Sequence, residues 1–135
     1  MVSADNAHAV HPNHPQKTDA ENCVYMNEGI VIKSHAGQKY TSDAVSIAIF
    51  RNICKQAGVP VQFFANRSDE AGGSTLGNIS SAQVSLNAVD VGLPQLAMHS
   101  AYETSGIKDT EYMVQAMTTF FGSYISMEKG QIIWS

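Results

Sequence analysis

Residues 29–66 constrain the fold most tightly. "GIVIKS" has the β-branched run of a strand, opened by Gly29. "TSDAVSIAIFRNICKQAG" then has helical spacing, with Val45, Ile49, Ile53 and Ala57 on one face and Ala48 and Phe50 at its margins. Thr41 or Ser42 can cap this helix, and Gly58 and Pro60 can end it. "VPVQFFAN" follows as the next strand. Strands alternating with helices imply an α/β domain with a mostly parallel sheet and helices on its faces.

The flanking segments extend this pattern. "MVSAD" is apolar and ends in a carboxylate, as expected of a buried strand that begins at or before residue 1. A domain seldom opens inside a core strand, so the first part of a larger chain is expected to be missing. Residues 6–29 carry two prolines and little periodicity and read as an irregular loop. "RSDEAGGSTLG" is a glycine-rich turn leading into a helix from about Ser74 to Leu86. "NAVDVGLP" is a short buried strand, and "QLAMHS" can continue as an extended segment. "DTEYMVQAMTTFFGSYI" predicts a helix capped by Asp109 or Thr110, with an apolar stripe of Tyr112, Met113, Ala116, Met117, Phe120 and Tyr124. The tail "SMEKGQIIWS" gives no clear signal.

Composition excludes several classes of function. The 135 residues suit one domain, and 44% apolar against 15% charged residues is the balance of a globular chain. The net charge is −4, and no Lys/Arg cluster offers a face to nucleic acid. No apolar run reaches membrane-spanning length, and no basic region precedes an apolar run as in a signal peptide. Cys23 and Cys54 lie too far apart for a zinc knuckle and are too few for a disulfide framework. A reducing cytoplasm is the simplest setting.

Several residues have chemistry to offer, each with a plain structural alternative. His8, His11 and His14 are spaced by three, but Pro12 and Pro15 break any helix that would align them. They form either a solvated loop or the border of a site. Asp5 stands where a strand meets a loop and is either a metal donor or a turn cap. His99, in "PQLAMHS", is either a hydrogen-bonded core residue or a ligand. Gly72 and Gly73 either admit a ligand close to the backbone or simply make a tight turn; the Gly-Lys-Ser/Thr ending of a phosphate loop is absent. Lys33 ends a strand and can pair with a substrate carboxylate or guard a sheet edge. Tyr40 follows it before the helix. No Ser-His-Asp order, G-x-S-x-G elbow or neighbouring Cys-His pair appears.

Four stretches, "VSADNAHAVHPNH", "GIVIKSHAGQKYTSDAVS", "VPVQFFANRSDEAGGSTLG" and "VDVGLPQLAMHSAYE", together resemble the aspartyl aminopeptidases. The resemblance covers nearly all of residues 1–124, in order. It implies a dizinc exopeptidase that releases N-terminal Asp or Glu from peptides through a zinc-activated water. By that resemblance Asp5 matches a carboxylate ligand of one zinc and His99 a histidine ligand of the other. His8 matches a histidine that contacts substrate or the tetrahedral intermediate, and Lys33 and Tyr40 match substrate-contacting positions. Lys33 would read the acidic side chain, and Gly72 and Gly73 would border the pocket. His11, His14 and His35 receive no role.

The resemblance further implies a three-layer, zinc exopeptidase-like fold with a mostly parallel or mixed sheet, here incomplete. The family's remaining histidine ligand, bridging aspartate, and glutamate pair that includes the general base are expected upstream, so no catalytic residue is assigned within this segment. Residues 1–135 would form the C-terminal portion of a catalytic domain, inactive alone, within a homo-oligomer that in the family is a dodecamer. A cut sheet would also leave an exposed edge and apolar face, favouring self-association. The alternative is a non-catalytic α/β module that binds a partner or a small ligand.

Overall fold

The computed structural model describes residues 1–134. In chain order the elements are β1 (Val2–Ala4), β2 (Ala7–His8), β3 (Ile30–Ser34), α1 (Ala44–Ala57), β4 (Val61–Ala65), α2 (Leu76–Gln83), β5 (Val89–Gly92), β6 (Pro94–Leu96), β7 (Thr104–Ser105), α3 (Ile107–Gly122), β8 (Ile125–Glu128) and β9 (Gln131–Trp134). No helix among the described residues is long and apolar enough to cross a membrane.

The main sheet has the order β1-β5-β3-β4. β3 and β4 are parallel across the α1 crossover, as the strand–helix–strand spacing requires, and β1 is parallel to β5. β3 runs against β5, pairing Ile32 with Val91 and Val31 with Gly92, so the sheet is mixed. A small sheet, β2-β6-β7, lies beside it.

Alternation along β3 fills both faces of the main sheet. Ile30 and Ile32 join Val89, Val91, Phe50, Ile53, Cys54 and Ala116 in a core under α1 and α3. Val31 points the other way and packs with Ala7, Val24, Tyr40 and Phe64. Burying side chains such as Ile32 and Phe50 contributes about 1.5–3 kcal/mol each. β3 is therefore a continuous apolar run until Lys33, which lies on the Val31 face and is 2% exposed.

Local chemistry moves several boundaries. α1 is capped by Asp43, not by Thr41 or Ser42: its carboxylate accepts from Ser46 N at 2.7 Å, while Ser46 Oγ accepts from Asp43 N at 2.9 Å. Thr41 and Ser42 are engaged with Asp90 instead. The buried face of α1 is rotated toward Phe50, which is fully buried, whereas Val45 is exposed. Gly58 ends the helix in a left-handed conformation, as expected. α2 is shorter than 74–86. α3 begins at Ile107, earlier than expected, and Asp109 sits buried in its first turn, where it accepts from Asn27 N at 2.6 Å and Gly29 N at 3.1 Å. Tyr124 falls outside this helix and is exposed.

Within 6–29 the chain pairs as β2 and makes a short 3-10 turn at Pro15–Lys17. The extended segment after Gly92 lasts only to Leu96. The unclear tail is a hairpin, β8–β9, turned by Lys129 and Gly130 at φ 50° and 78°.

Candidate active site

One cleft of about 500 Å³ is lined by Asp5, His8, Lys33, Tyr40, Gly73 and His99. The outermost of these, Asp5 and His99, stand 94 positions apart in sequence (99 − 5), and the fold gathers the set by three routes. β1 delivers Asp5 as its first residue beyond the strand, with Asp5 N bonded to Val91 O at 3.0 Å. A Cβ on Gly92 would collide with the Asp5 carbonyl, so glycine there lets the two backbones meet. β2 carries His8, and its partner β6 leads into the turn that holds His99. β3 supplies Lys33, and the link to α1 supplies Tyr40.

Because β1 pairs with β5 in parallel and β3 pairs with it antiparallel, the carboxyl ends of β1 and β3 lie at opposite strand ends of the sheet. Lys33 therefore reaches Asp5 along the sheet face, not from a shared rim. Its Nζ donates to Asn6 O at 3.1 Å, lies 4.0 Å from Asp5 Oδ2 and sits 5.3 Å from the centroid of the Tyr40 ring. Burial lowers the ammonium's pKa, while Asp5 and Asp90 oppose that shift. Tyr40 is held edge-on against Phe64 and His35, and its hydroxyl donates to Asn66 Oδ1 at 3.4 Å. Burial first, then Asp90 and Asp5, raise the phenol's pKa.

His8 is open at the cleft. Desolvation there, and then the charges of His99 and Lys33, hold its imidazole below the usual range. In its neutral form this ring has one N–H to donate. His99 has φ 67° and Ala97 φ 55°, so the turn carrying His99 holds two non-glycine residues in the left-handed region. Each such residue costs on the order of 1 kcal/mol. His99 N donates to Glu103 Oε1 at 2.6 Å, which helps to fix that turn.

Not every expected residue lines the wall. Gly73 does, while Gly72 stands just behind, its carbonyl accepting from Lys39 Nζ at 2.8 Å. His11 and His14 also line the outer cleft, with ring centroids 5.4 Å apart. Sequence reasoning passed over Asn6, Asn66 and Asp90. Only Asp90 left a signal, as a lone carboxylate within the apolar "VDVG" run.

The donor chemistry suits zinc. Asp5 offers a carboxylate whose side chain is 57% exposed, and His99 an imidazole, both on one cleft. Among the described residues no cluster of three His, Cys, Asp or Glu could hold a metal. Catalytic zinc takes about three protein ligands, so these two form a partial set.

The profile of the family described as aminopeptidase I zinc metalloprotease (M18) matches residues 1–121. The chain belongs to the M18 family. It is 49% identical over 121 residues to a "Probable M18 family aminopeptidase 2" of Clostridium acetobutylicum, a match that covers 90% of this chain and 28% of the relative. Among solved structures, a complex of Ape4 and Nbr1 matches at TM-score 0.87 and 41% identity, covering 89% of this chain and 23% of that one. The mApe1 dodecamer of S. cerevisiae matches at TM-score 0.79 and 27% identity, covering 90% and 26%. This M18 chain thus spans under a third of the length of the curated relatives it matches. Its mixed sheet flanked by helices is the fold shared with those M18 structures.

Proposed function

We propose that residues 1–135 are the C-terminal portion of an M18 catalytic domain that releases N-terminal Asp or Glu from peptides. The supporting observation is the convergence of Asp5, His8, Lys33, Tyr40 and His99 on one cleft from widely separated positions. Asp5 and His99 would each hold one ion of a zinc pair, with the remaining ligands and the general base supplied upstream. Bound zinc supplies Lewis acidity toward a peptide carbonyl and toward water.

The residues of this chain account for binding and orientation. Lys33 presents a desolvated ammonium at the cleft wall, and Asn6 O accepts a hydrogen bond from one of its three N–H groups. A substrate carboxylate entering this site gains a charge-assisted hydrogen bond, which an uncharged side chain forfeits. Tyr40 packs beside the ammonium and shapes the space available to the acidic side chain. His8 donates its ring N–H to the scissile carbonyl oxygen, where negative charge grows during attack.

Assembly as a homo-oligomer belongs to the same reading and is supported by the dodecameric relative. A cytoplasmic setting does too, in keeping with two unbridged thiols. The test is hydrolysis of Asp-, Glu- and Leu-amide chromogens by the full-length protein, before and after chelation. Acid-selective release that chelation abolishes and zinc restores is the expected result. Equal rates on all three substrates, or indifference to chelation, would overturn the proposal. Binding of a small ligand with no hydrolysis of any amide would favour the non-catalytic alternative.

A further inference from the structure

We infer that Asp90 is a positioning residue that fixes both walls of the cleft from beneath. This inference rests on the reading that Lys33 and Tyr40 meet the substrate. Asp90 is 0% exposed on β5. Its Oδ2 accepts from Thr41 N at 2.6 Å and Thr41 Oγ1 at 2.9 Å, while Oδ1 has no hydrogen-bond partner among the described residues. Burying a carboxylate so poorly satisfied is costly, and an uncharged side chain of the same shape would avoid that cost. Stability alone therefore does not account for an acid here.

Its surroundings suggest what the acid does. The β3–β5 register pairs Val31 with Gly92 and Ile32 with Val91; one residue further along, Lys33 stands beside Asp90 on the cleft face. Asp90 is one of the two acids whose charge acts on Lys33 and on Tyr40. Through Thr41 it holds the segment that carries Lys39 and Tyr40. That segment in turn holds the glycine loop: Lys39 Nζ donates to Gly72 O at 2.8 Å, and Asn78 Nδ2 donates to Lys39 O at 2.6 Å. From the other side, α2 presses Gly77 onto the carboxylate. A Cβ there would lie 2.8 Å from Oδ2 and 3.0 Å from Oδ1, so only glycine lets the helix start seat against the acid. Asp90 thus joins the Tyr40 wall, the Gly72–Asn78 wall and Lys33 in one contiguous network, without itself lining the cleft.

The test uses two variants of the full-length protein, Asp90→Asn and Gly77→Ala. The first removes the charge but keeps the shape. The second keeps the charge and displaces the carboxylate. Hydrogen exchange is read on residues 36–46 and 70–80, with 107–120 as an internal control, alongside kcat and KM on Asp- and Leu-amide substrates. In both variants exchange should rise by at least about fivefold over 36–46 and 70–80 and stay unchanged over 107–120. The acidic-over-neutral ratio of kcat/KM should fall roughly tenfold through KM on the acidic substrate, with kcat held within about twofold. Unchanged exchange at both walls, a rise shared by 107–120, or equal losses on both substrates would overturn the inference. If the unmodified protein shows no acidic preference, the functional reading fails and takes the selectivity half with it. Exchange then still decides whether Asp90 holds the walls.

Discussion

Lys33 Nζ lies 4.0 Å from the Asp5 carboxylate, yet the lysine side chain is 3% exposed and the aspartate 57%. Water screens such a pair from the aspartate side, so it contributes little to stability. What the arrangement provides is position. The ammonium is fixed by Asn6 O within the wall, and Asp5 stays open to the cleft.

Lys33→Met tests recognition of the acidic side chain. Methionine fills the same volume, but it removes the cation beside the buried Asp90 carboxylate and the donor to Asn6 O, so the melt should fall by about 1–3 kcal/mol equivalent. Acid selectivity should fall by at least about tenfold, because the carboxylate of the substrate loses its charged partner. Kinetics on Asp- and Leu-amides, with a thermal melt, check both expectations.

Asp43→Ala removes the α1 cap far from the chemistry. The reciprocal bonds with Ser46 are lost, at a cost of about 1 kcal/mol. The expected result is a melting temperature lowered by about 2–8 °C with kcat unchanged.

The two thiols should respond very differently. Cys23 is exposed, whereas Cys54 is buried and its thiol is pushed up to about 12 by desolvation. Native alkylation at pH 8 should therefore label Cys23 and spare Cys54, and denatured alkylation should label both. A folded-state pKa raised above the ordinary 9.0 stabilises the fold fully below pH 9. From there upward the unfolded thiol ionises and the folded one does not, so stability falls with rising pH. Cys54→Val should flatten that alkaline decline, as measured by denaturant titration from pH 8 to 10.5.

Residues 1–135 expressed alone should hydrolyse peptides negligibly and bind zinc weakly, because two ligands make an incomplete site. They should also self-associate: Ile107, Val114 and Phe121, seven residues apart on α3, are 89%, 62% and 81% exposed. Light scattering and a zinc-competition titration check this. A monodisperse monomer with tight zinc binding would contradict it.

The fold was most legible where apolar periodicity was strong. β3, α1 and β4 stand where the spacing predicts, and Gly58 ends α1. Reading failed where long-range partners redirected polar side chains. Thr41 and Ser42 have the chemistry of helix caps, but Asp90 recruits both, Thr41 through its buried carboxylate and Ser42 through its backbone N–H, and the cap passes to Asp43. Asp109 likewise looks like a cap, but it serves the turn before β3. Both outcomes depend on tertiary neighbours that no local window contains. The cleft residues Asp5, His8, Lys33, Tyr40 and His99 came from motif resemblance, since no local pattern raised any of them above an ordinary structural role. The antiparallel pairing of β3 with β5, which brings Lys33 to Asp5 along the sheet face, left no trace in the spacing.

In the proposed site Asp5 and His99 each hold a zinc ion in one cleft. Zinc content by elemental analysis of the full-length protein after exhaustive dialysis, compared with Asp5→Asn and His99→Gln, tests this, with melting curves confirming that all three are folded. Each variant should retain its fold and lose about one zinc per chain. Full zinc retention in both folded variants would contradict it.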